Sequence, residues 1–335
     1  MKERLSNSEK LVELTNELPD FCAAILIGRK AERELSTRVG YARDLSLYFD
    51  YLISNHRDFA GKKKKSITAS DMRNISPMDV DMFLTYFAES HSPSTVKRIK
   101  SAMSAMFNLL VDYMQILEYN PVKGAQKIKI PEKDFVIYLT RAEQEALLQT
   151  IKYGTGLTKR QLAYHSKFQK RDLAMVFLFL DTGIRVSEMQ GLDMDDLDMD
   201  ECSAIVRRKG GKLSKIYFSD ESREYIADYI DERKATLPLY SGKDSPLFIT
   251  LQGERLSVRE IQTLVPKYVK AAIPGKEAHI SPHKLRSTFA MDFYRASRDI
   301  LTLQKRLGHR SLNVTNIYAK ACQDEIRDTR NWRNA

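Results

Sequence analysis

"SAIVRRKGGKLSKIYFS" spans residues 203–219, and its reading decides the fold. Two runs with β-branched and aromatic residues flank Gly210-Gly211. That pattern predicts a hairpin closed by a two-residue turn. It is the clearest strand signal in the chain. The surrounding sequence carries helical periods, so the expected class is mainly α with a small antiparallel β-hairpin (α+β).

Upstream, "LAMVFLFLDTGIRVSEMQGL" (173–192) reads as a buried helix, a turn at Gly183 and a second helix. "YLTRAEQEALLQTI" (138–151) opens on a Thr140/Glu143 capping box. A basic stretch, 152–172, lies between them. Downstream, helices are expected near 220–236, 257–272, 282–296 and 299–307. In the first half, residues 1–19 form a polar leader helix. "STRVGYARDLSLYFDYLIS" (36–54) spaces Val39, Leu45, Tyr48, Phe49 and Leu52 helically, with Ser36 as N-cap. "GKKKK" (61–65) reads as a solvated loop. Ser76-Pro77 starts a helix over 76–89. Another helix, 92–114, is basic at its start and apolar later, with Met103 and Met106 in the core. "NPVKGAQKIKIPEKD" (120–134) reads as an extended linker.

Composition bounds the function. The 335 residues are 43% hydrophobic and 29% charged, long enough for two domains. The longest apolar run, "MVFLFL" (175–180), is too short to span a membrane. The N-terminus lacks a signal-peptide core, so a cytoplasmic protein is expected. Cys22, Cys202 and Cys322 lie far apart, which disfavours a disulfide framework or zinc finger. The histidines do not cluster at metal-ligand spacing, so neither metal nor cofactor is expected. A net charge of +10 favours a nucleic-acid partner. Between 283 and 310, Lys284, Arg286, Arg295, Arg298, Lys305, Arg306 and Arg310 face only Asp292 and Asp299. That excess suits a phosphate-facing surface.

Four separated pieces share a chemical theme: Arg185 in "TGIRVSE", Lys209 at the hairpin tip, His283 and Arg286 in "HKLR", and His309 and Tyr318 in "LGHRSLNVTNIY". Two guanidiniums can clamp the non-bridging oxygens of a phosphodiester where a metal would otherwise sit. A positive site favours the tyrosine phenolate as nucleophile. A hairpin lysine can protonate the leaving oxygen. Each piece has a bland reading: a solvated helix face, a Gly308 helix end, an exposed turn, or Tyr318 as core. Their conjunction carries the signal. By contrast, "DMDDLDMDE" (193–201) lacks the glycine and terminal glutamate of a calcium loop and reads as a solvated loop. "YGTGLTK" lacks P-loop spacing.

"TGIRVSEMQGL", "HKLRSTFA" and "LGHRSLNVTNIY", with "RKGGK", resemble the signature boxes of the tyrosine recombinase (phage integrase) family, and of its Xer-type members in particular. The match covers 138–320. Residues 20–125 resemble its helical core-DNA-binding domain more loosely. The resemblance implies a two-domain, C-shaped DNA clamp: leader 1–19, SAM-like DNA-binding domain 20–122, linker 123–137, catalytic domain 138–320, and a tail 321–335 docking on a neighbouring protomer. It implies that Arg185 and Arg286 bind the scissile phosphate, with Glu188 supporting the arginine. Lys209 is the general acid. His283 and His309 assist, and Tyr318 forms a 3′-phosphotyrosine. Candidate DNA contacts are Arg43, Ser94, Thr95, Lys97, Arg98, Lys100, Arg207, Lys212, Lys284 and Arg310. The implied partners are double-stranded DNA with a specific site, a homotetramer over two sites (monomer or dimer off DNA) and an accessory protein, with no membrane. The function implied is site-specific recombination through a Holliday junction, serving dimer resolution, integration, excision or inversion. The alternatives are type IB topoisomerase-like relaxation and a non-catalytic DNA-binding protein of the same fold.

Overall fold

The structure is a computed structural model describing residues 6–28, 34–127, 136–208, 210–236, 245–309, 311–312 and 315–328. The chain divides into two compact units, Met1–Glu132 and Lys133–Ala335.

The first unit is helical. Helix α1 (Asn7–Glu17) starts at a Ser6/Glu9 capping box and packs on α3 (Leu35–Asn55). Between them, α2 (Asp20–Ala23) runs into a π-turn, Ala24–Gly28. Val39, Leu45, Tyr48, Phe49 and Leu52 of α3 are all buried, as their spacing predicts. The cap differs from expectation: Glu34, not Ser36, precedes the helix and offers no side-chain bond. Helix α4 (Pro77–Ala88) begins at Ser76-Pro77, and Ser76 and Asp79 cap each other. Helix α5 (Pro93–Asn108) loosens into a π-turn at Leu109–Tyr113, with Met103 and Met106 fully buried.

Two expectations are corrected here. The lysine run is not a free solvated loop: Lys62 pairs with Asp71, Lys64 with Asp50 and Lys65 with Asp20. Carboxylates spaced around it fix it to the surface. Nor is 120–134 extended at its start. Asn120 caps a short helix, α6 (Pro121–Gly124), and Val122 is buried in the core of this unit.

The second unit packs α7 (Arg141–Tyr153), α9 (Gln169–Thr182), α11 (Asp220–Thr236), α12 (Val258–Ala272) and α13 (Pro282–Ser297) around one core. Helix α8 (Lys159–His165) takes up much of the basic stretch. The sheet is antiparallel: β1 (Leu197–Asp198), β2 (Ser203–Arg207) and β3 (Leu213–Tyr217). The acidic run is therefore not loop throughout. Asp193 and Asp196 cap a 3₁₀ turn, and Leu197–Asp198 is the edge strand. The hairpin connection is one residue longer than predicted, because Arg208 N–H donates to Lys212 O at 2.8 Å and closes the ladder there. No described helix is long and apolar enough to cross a membrane.

Helix α9 stops at Gly183, whose φ is +63°. A Cβ there would lie 2.4 Å from Phe289 Cδ1. Gly183→Ala therefore combines left-handed backbone strain with overpacking. A loss of about 2–4 kcal/mol is expected. That lowers the melting temperature by roughly 5–15 °C, measurable by calorimetry.

Candidate active site

Gly183 turns the chain so that Arg185 opens α10 (Val186–Gln190). Buried Glu188 holds that arginine at both ends. Its Oε2 accepts from the Arg185 backbone N–H at 3.0 Å, and its Oε1 accepts from Arg185 Nη1 at 2.7 Å. Helix α13 starts at Pro282 and places His283 and Arg286 three residues apart.

Helix α14 (Ile300–Leu307) ends at Gly308, with φ +61°. His309 N–H donates to Gln304 O, and Gly308 N–H to Lys305 O, the pattern of a Schellman end. The next carbonyls have no helical partner, and three arginines take them in order. Arg208 Nη2 donates to Arg306 O at 2.9 Å. Arg286 Nη2 donates to Leu307 O. Arg185 Nη2 donates to Gly308 O at 3.2 Å. The helix end is the negative pole of its dipole, so it suits cations.

Arg286 is only 3% exposed. Its Nη1 also donates to Gly183 O at 2.5 Å, linking the ends of α9 and α14. Burial, then the Arg185 charge, pulls its pKa down to about 10. Arg286 Nη2 also lies 3.1 Å from His309 Nε2. A guanidinium only donates, so Nε2 is the accepting nitrogen and the ring is neutral. Nδ1 then carries the proton toward Thr315 Oγ1, 3.0 Å away. Burial first, then the Arg286, Arg185 and Arg208 charges, pushes His309 down to about 4. The His283 ring is open to solvent on one side. The protein packed behind it, and then Lys284, Arg286 and Arg185, also lowers its pKa.

This gives a stability prediction with a definite sign. His309 protonates lower in the folded chain than its ordinary 6.5. The unfolded chain therefore binds more protons between the two values, and stability falls as pH drops from about 6.5 to 4. In His309→Gln that acid-side loss of melting temperature should be smaller. Parallel melting curves for the two proteins over this range would refute the assignment.

Tyr318 sits on α15 (Asn316–Asp328), 4% exposed, packed with Phe289, Leu303, Leu307 and Cys322. Burial raises its pKa, outweighing a Ser287 hydrogen bond and the Arg286 charge. The positive charge of Arg286 favours the phenolate, as expected, but burial outweighs it and the net shift is upward. The structure thus gathers Arg185, Glu188, His283, Arg286, His309 and Tyr318 around the end of α14. Lys209 and Arg310 lie outside the described residues.

Among the expected DNA contacts, Arg207 and Lys212 are exposed on the hairpin, and Lys284 is half-buried on α13. In the first unit Arg43, Ser94 and Lys97 are exposed, and Thr95 is half-buried in the first turn of α5. Arg98 is paired with buried Asp44 at 2.6 Å. Lys100 donates to Ala125 O at 3.0 Å and to Gln126 O at 2.5 Å, so internal carbonyls occupy it. Sequence reasoning missed Arg208, Ser287 and Thr315. The period-2 pattern of β2 held the signal for Arg208: Ala204 and Val206 point inward, and 208 follows on that face.

Fold and sequence together are those of a tyrosine recombinase of the Xer-like kind. Residues 138–325 match the sequence model of the phage integrase family. The chain is 31% identical over 315 residues to tyrosine recombinase XerC of Caldanaerobacter subterraneus subsp. tengcongensis, covering 89% of this chain and 82% of that one. It is 28% identical to tyrosine recombinase XerS of Streptococcus agalactiae, covering 85% of each. The XerH site-specific recombinase, in a post-cleavage complex with palindromic difH substrate, shares the fold. Its TM-score is 0.72 at 19% identity, over 100% of this chain and 92% of that one. The chain belongs to the phage integrase family.

Proposed function

We propose that Tyr318 is the nucleophile of site-specific DNA strand exchange, acting on a phosphodiester held by Arg185 and Arg286. The observation that carries this reading is the set of arginines drawn to one helix end beside Tyr318. The carbonyls they bind are oxygen acceptors, as phosphate oxygens are. Tyr318 Oη bonds to phosphorus as the bond to the 5′-oxygen breaks. Lys209 gives the 5′-oxygen its proton. We assign the phenol proton to His283, whose lowered pKa keeps a lone pair free at neutral pH. His309 is held between Arg286 and Thr315, so it positions Arg286. Glu188 fixes Arg185 in the same way. Bidentate guanidiniums supply the charge stabilisation that a metal ion supplies elsewhere.

A 5′-hydroxyl from a second duplex then attacks the phosphotyrosine and restores the phosphodiester. One bond of each kind breaks as another forms, so no nucleotide energy source enters. Exchange of all strands at two sites takes four protomers, passes through a Holliday junction, and fits a tail 321–335 that docks on a neighbour. Arg43 and Lys97 serve as backbone contacts in the first unit, with Arg207 and Lys212 on the hairpin.

The test is a nicked suicide duplex carrying the site selected from random DNA by binding. A covalent protein–DNA adduct that migrates slowly under denaturing conditions supports the reading. Binding without an adduct refutes it and leaves a DNA-binding protein of this fold. Relaxation of supercoiled DNA lacking the site would point instead to topoisomerase-like action.

A further inference from the structure

We propose that Arg208 is a third arginine of the scissile-phosphate site, parked on the Arg306 carbonyl until DNA arrives. The inference rests on the tyrosine reading above.

Arg208 lies in the connection between β2 and β3, next to Lys209 in sequence, and reaches the end of α14 through its side chain. One of its three guanidinium nitrogens, Nη2, has the Arg306 carbonyl. The other two, Nε and Nη1, are shielded from solvent and have no hydrogen-bond partner among the described residues. Such unmet donors are costly in a folded protein, and more so when charged. The position is therefore a poor final home for a guanidinium. A phosphate, with several acceptor oxygens, is a better one.

Gly308 is built to allow this parking. A Cβ on Gly308 would fall 1.8 Å from Arg208 Nη1 and 2.5 Å from its Cζ. The guanidinium thus lies close against the glycine that ends α14, whose carbonyl is held by Arg185. Arg208 shares the local field of Arg185, Arg286 and His309, with Glu188 as the opposing charge.

The charge count favours an anion here. Three guanidiniums less the Glu188 carboxylate leave two positive charges, while both histidines are held toward their neutral forms. The phosphorane made when phenolate attacks a phosphodiester carries two negative charges on its non-bridging oxygens. Arg208 adds a third guanidinium to Arg185 and Arg286 at the non-bridging oxygens, beside the Lys209 ammonium at the leaving oxygen and the His283 that takes the phenol proton. Donors added where charge develops accelerate the reaction.

The experiment compares single-turnover cleavage of two suicide duplexes. One has the normal scissile phosphodiester. The other has a methylphosphonate there, in which one charged oxygen is replaced by an uncharged methyl. Arg208→Ala is expected to slow cleavage of the normal duplex by about 10²-fold. On the methylphosphonate duplex the variant and wild type should differ by less than about threefold, because the charge that Arg208 meets is already gone. Arg208→Lys should recover part of the loss through its charge alone. Equal losses on both duplexes, or no loss on the normal one, would overturn the assignment. If Arg208→Ala melts below the assay temperature, Arg208→Met, which keeps the stem, is judged by the same comparison. Wild type that forms no adduct would defeat the tyrosine reading and this assignment together. A defect confined to Arg208 variants leaves the tyrosine reading standing.

Discussion

Tyr318→Phe is expected to abolish the covalent protein–DNA adduct while leaving the fold almost unchanged. The ring remains among Phe289, Leu303, Leu307 and Cys322, so the apolar contacts of this cluster persist. What disappears is the hydroxyl that hydrogen-bonds Ser287. Ser287 Oγ keeps an alternative acceptor, His283 O, at 3.3 Å, so no buried donor is stranded. Loss of one such bond costs about 1 kcal/mol. The melting temperature should therefore shift by only a few degrees. Phenylalanine has no oxygen to attack phosphorus, so no residual rate is expected. An adduct that survives in Tyr318→Phe would assign the nucleophile to another residue. Binding to the same duplex by mobility shift should stay within a fewfold of wild type, which separates lost chemistry from lost recognition.

The burial of Tyr318 adds a consequence for the reaction. With the residue only 4% exposed, the proposed attack is expected to need a shift of the α15 segment, uncovering an aromatic ring worth about 2 kcal/mol of apolar burial. DNA contacts have to offset that cost. The same burial makes the phenolate harder to form, because it disfavours the anion more than Arg286 and Ser287 favour it. On the proposed reading, the reaction begins only when the arginines exchange helix-end carbonyls for phosphate oxygens.

Much of this arrangement was legible in the sequence, for identifiable reasons. The apolar spacing of α3 and the Ser76-Pro77 start of α4 are local signals, and both appear in the fold. The hairpin at 203–217 followed from residue type and paired glycines. The extra residue in its connection did not, because the closing hydrogen bond depends on how the two strands meet. Misreadings arose where distant partners decide. Nothing near residues 62–65 announces that Asp20, Asp50 and Asp71 will neutralise them. Likewise, Arg98 is a surface cation as read but also pairs with buried Asp44, and Lys100 donates to carbonyls at the end of α6. The bland reading of Tyr318 as a core residue describes its present surroundings, and the chemical reading describes its neighbours. Both follow from one helix that carries an apolar face toward α13 and a phenol toward Arg286.

Arg286→Ala is expected to slow cleavage by about 10²–10³-fold, the usual cost of losing one preorganised donor at a developing charge. Its effect on stability should be much smaller than its burial implies, because two terms oppose. Removing the guanidinium leaves Gly183 O and Leu307 O without their donors, at about 1–3 kcal/mol each. It also removes a positive charge that Arg185 and Arg208 push against, the repulsion that helps hold Arg286 down to about 10. A net loss of about 1–3 kcal/mol follows, readable by denaturant titration. DNA affinity should change little, since backbone contacts elsewhere supply most of it. Arg286→Lys sharpens the comparison. A lysine keeps the charge but cannot span Gly183 O, Leu307 O and His309 together. If the reaction needed only positive charge, Lys would restore the rate. If it needs the fork that His309 and the two helix ends hold in place, Lys should remain at least tenfold slow. Equal losses of binding and cleavage in Arg286→Ala would instead make Arg286 a simple DNA contact. That result would remove the central member from the three-arginine site.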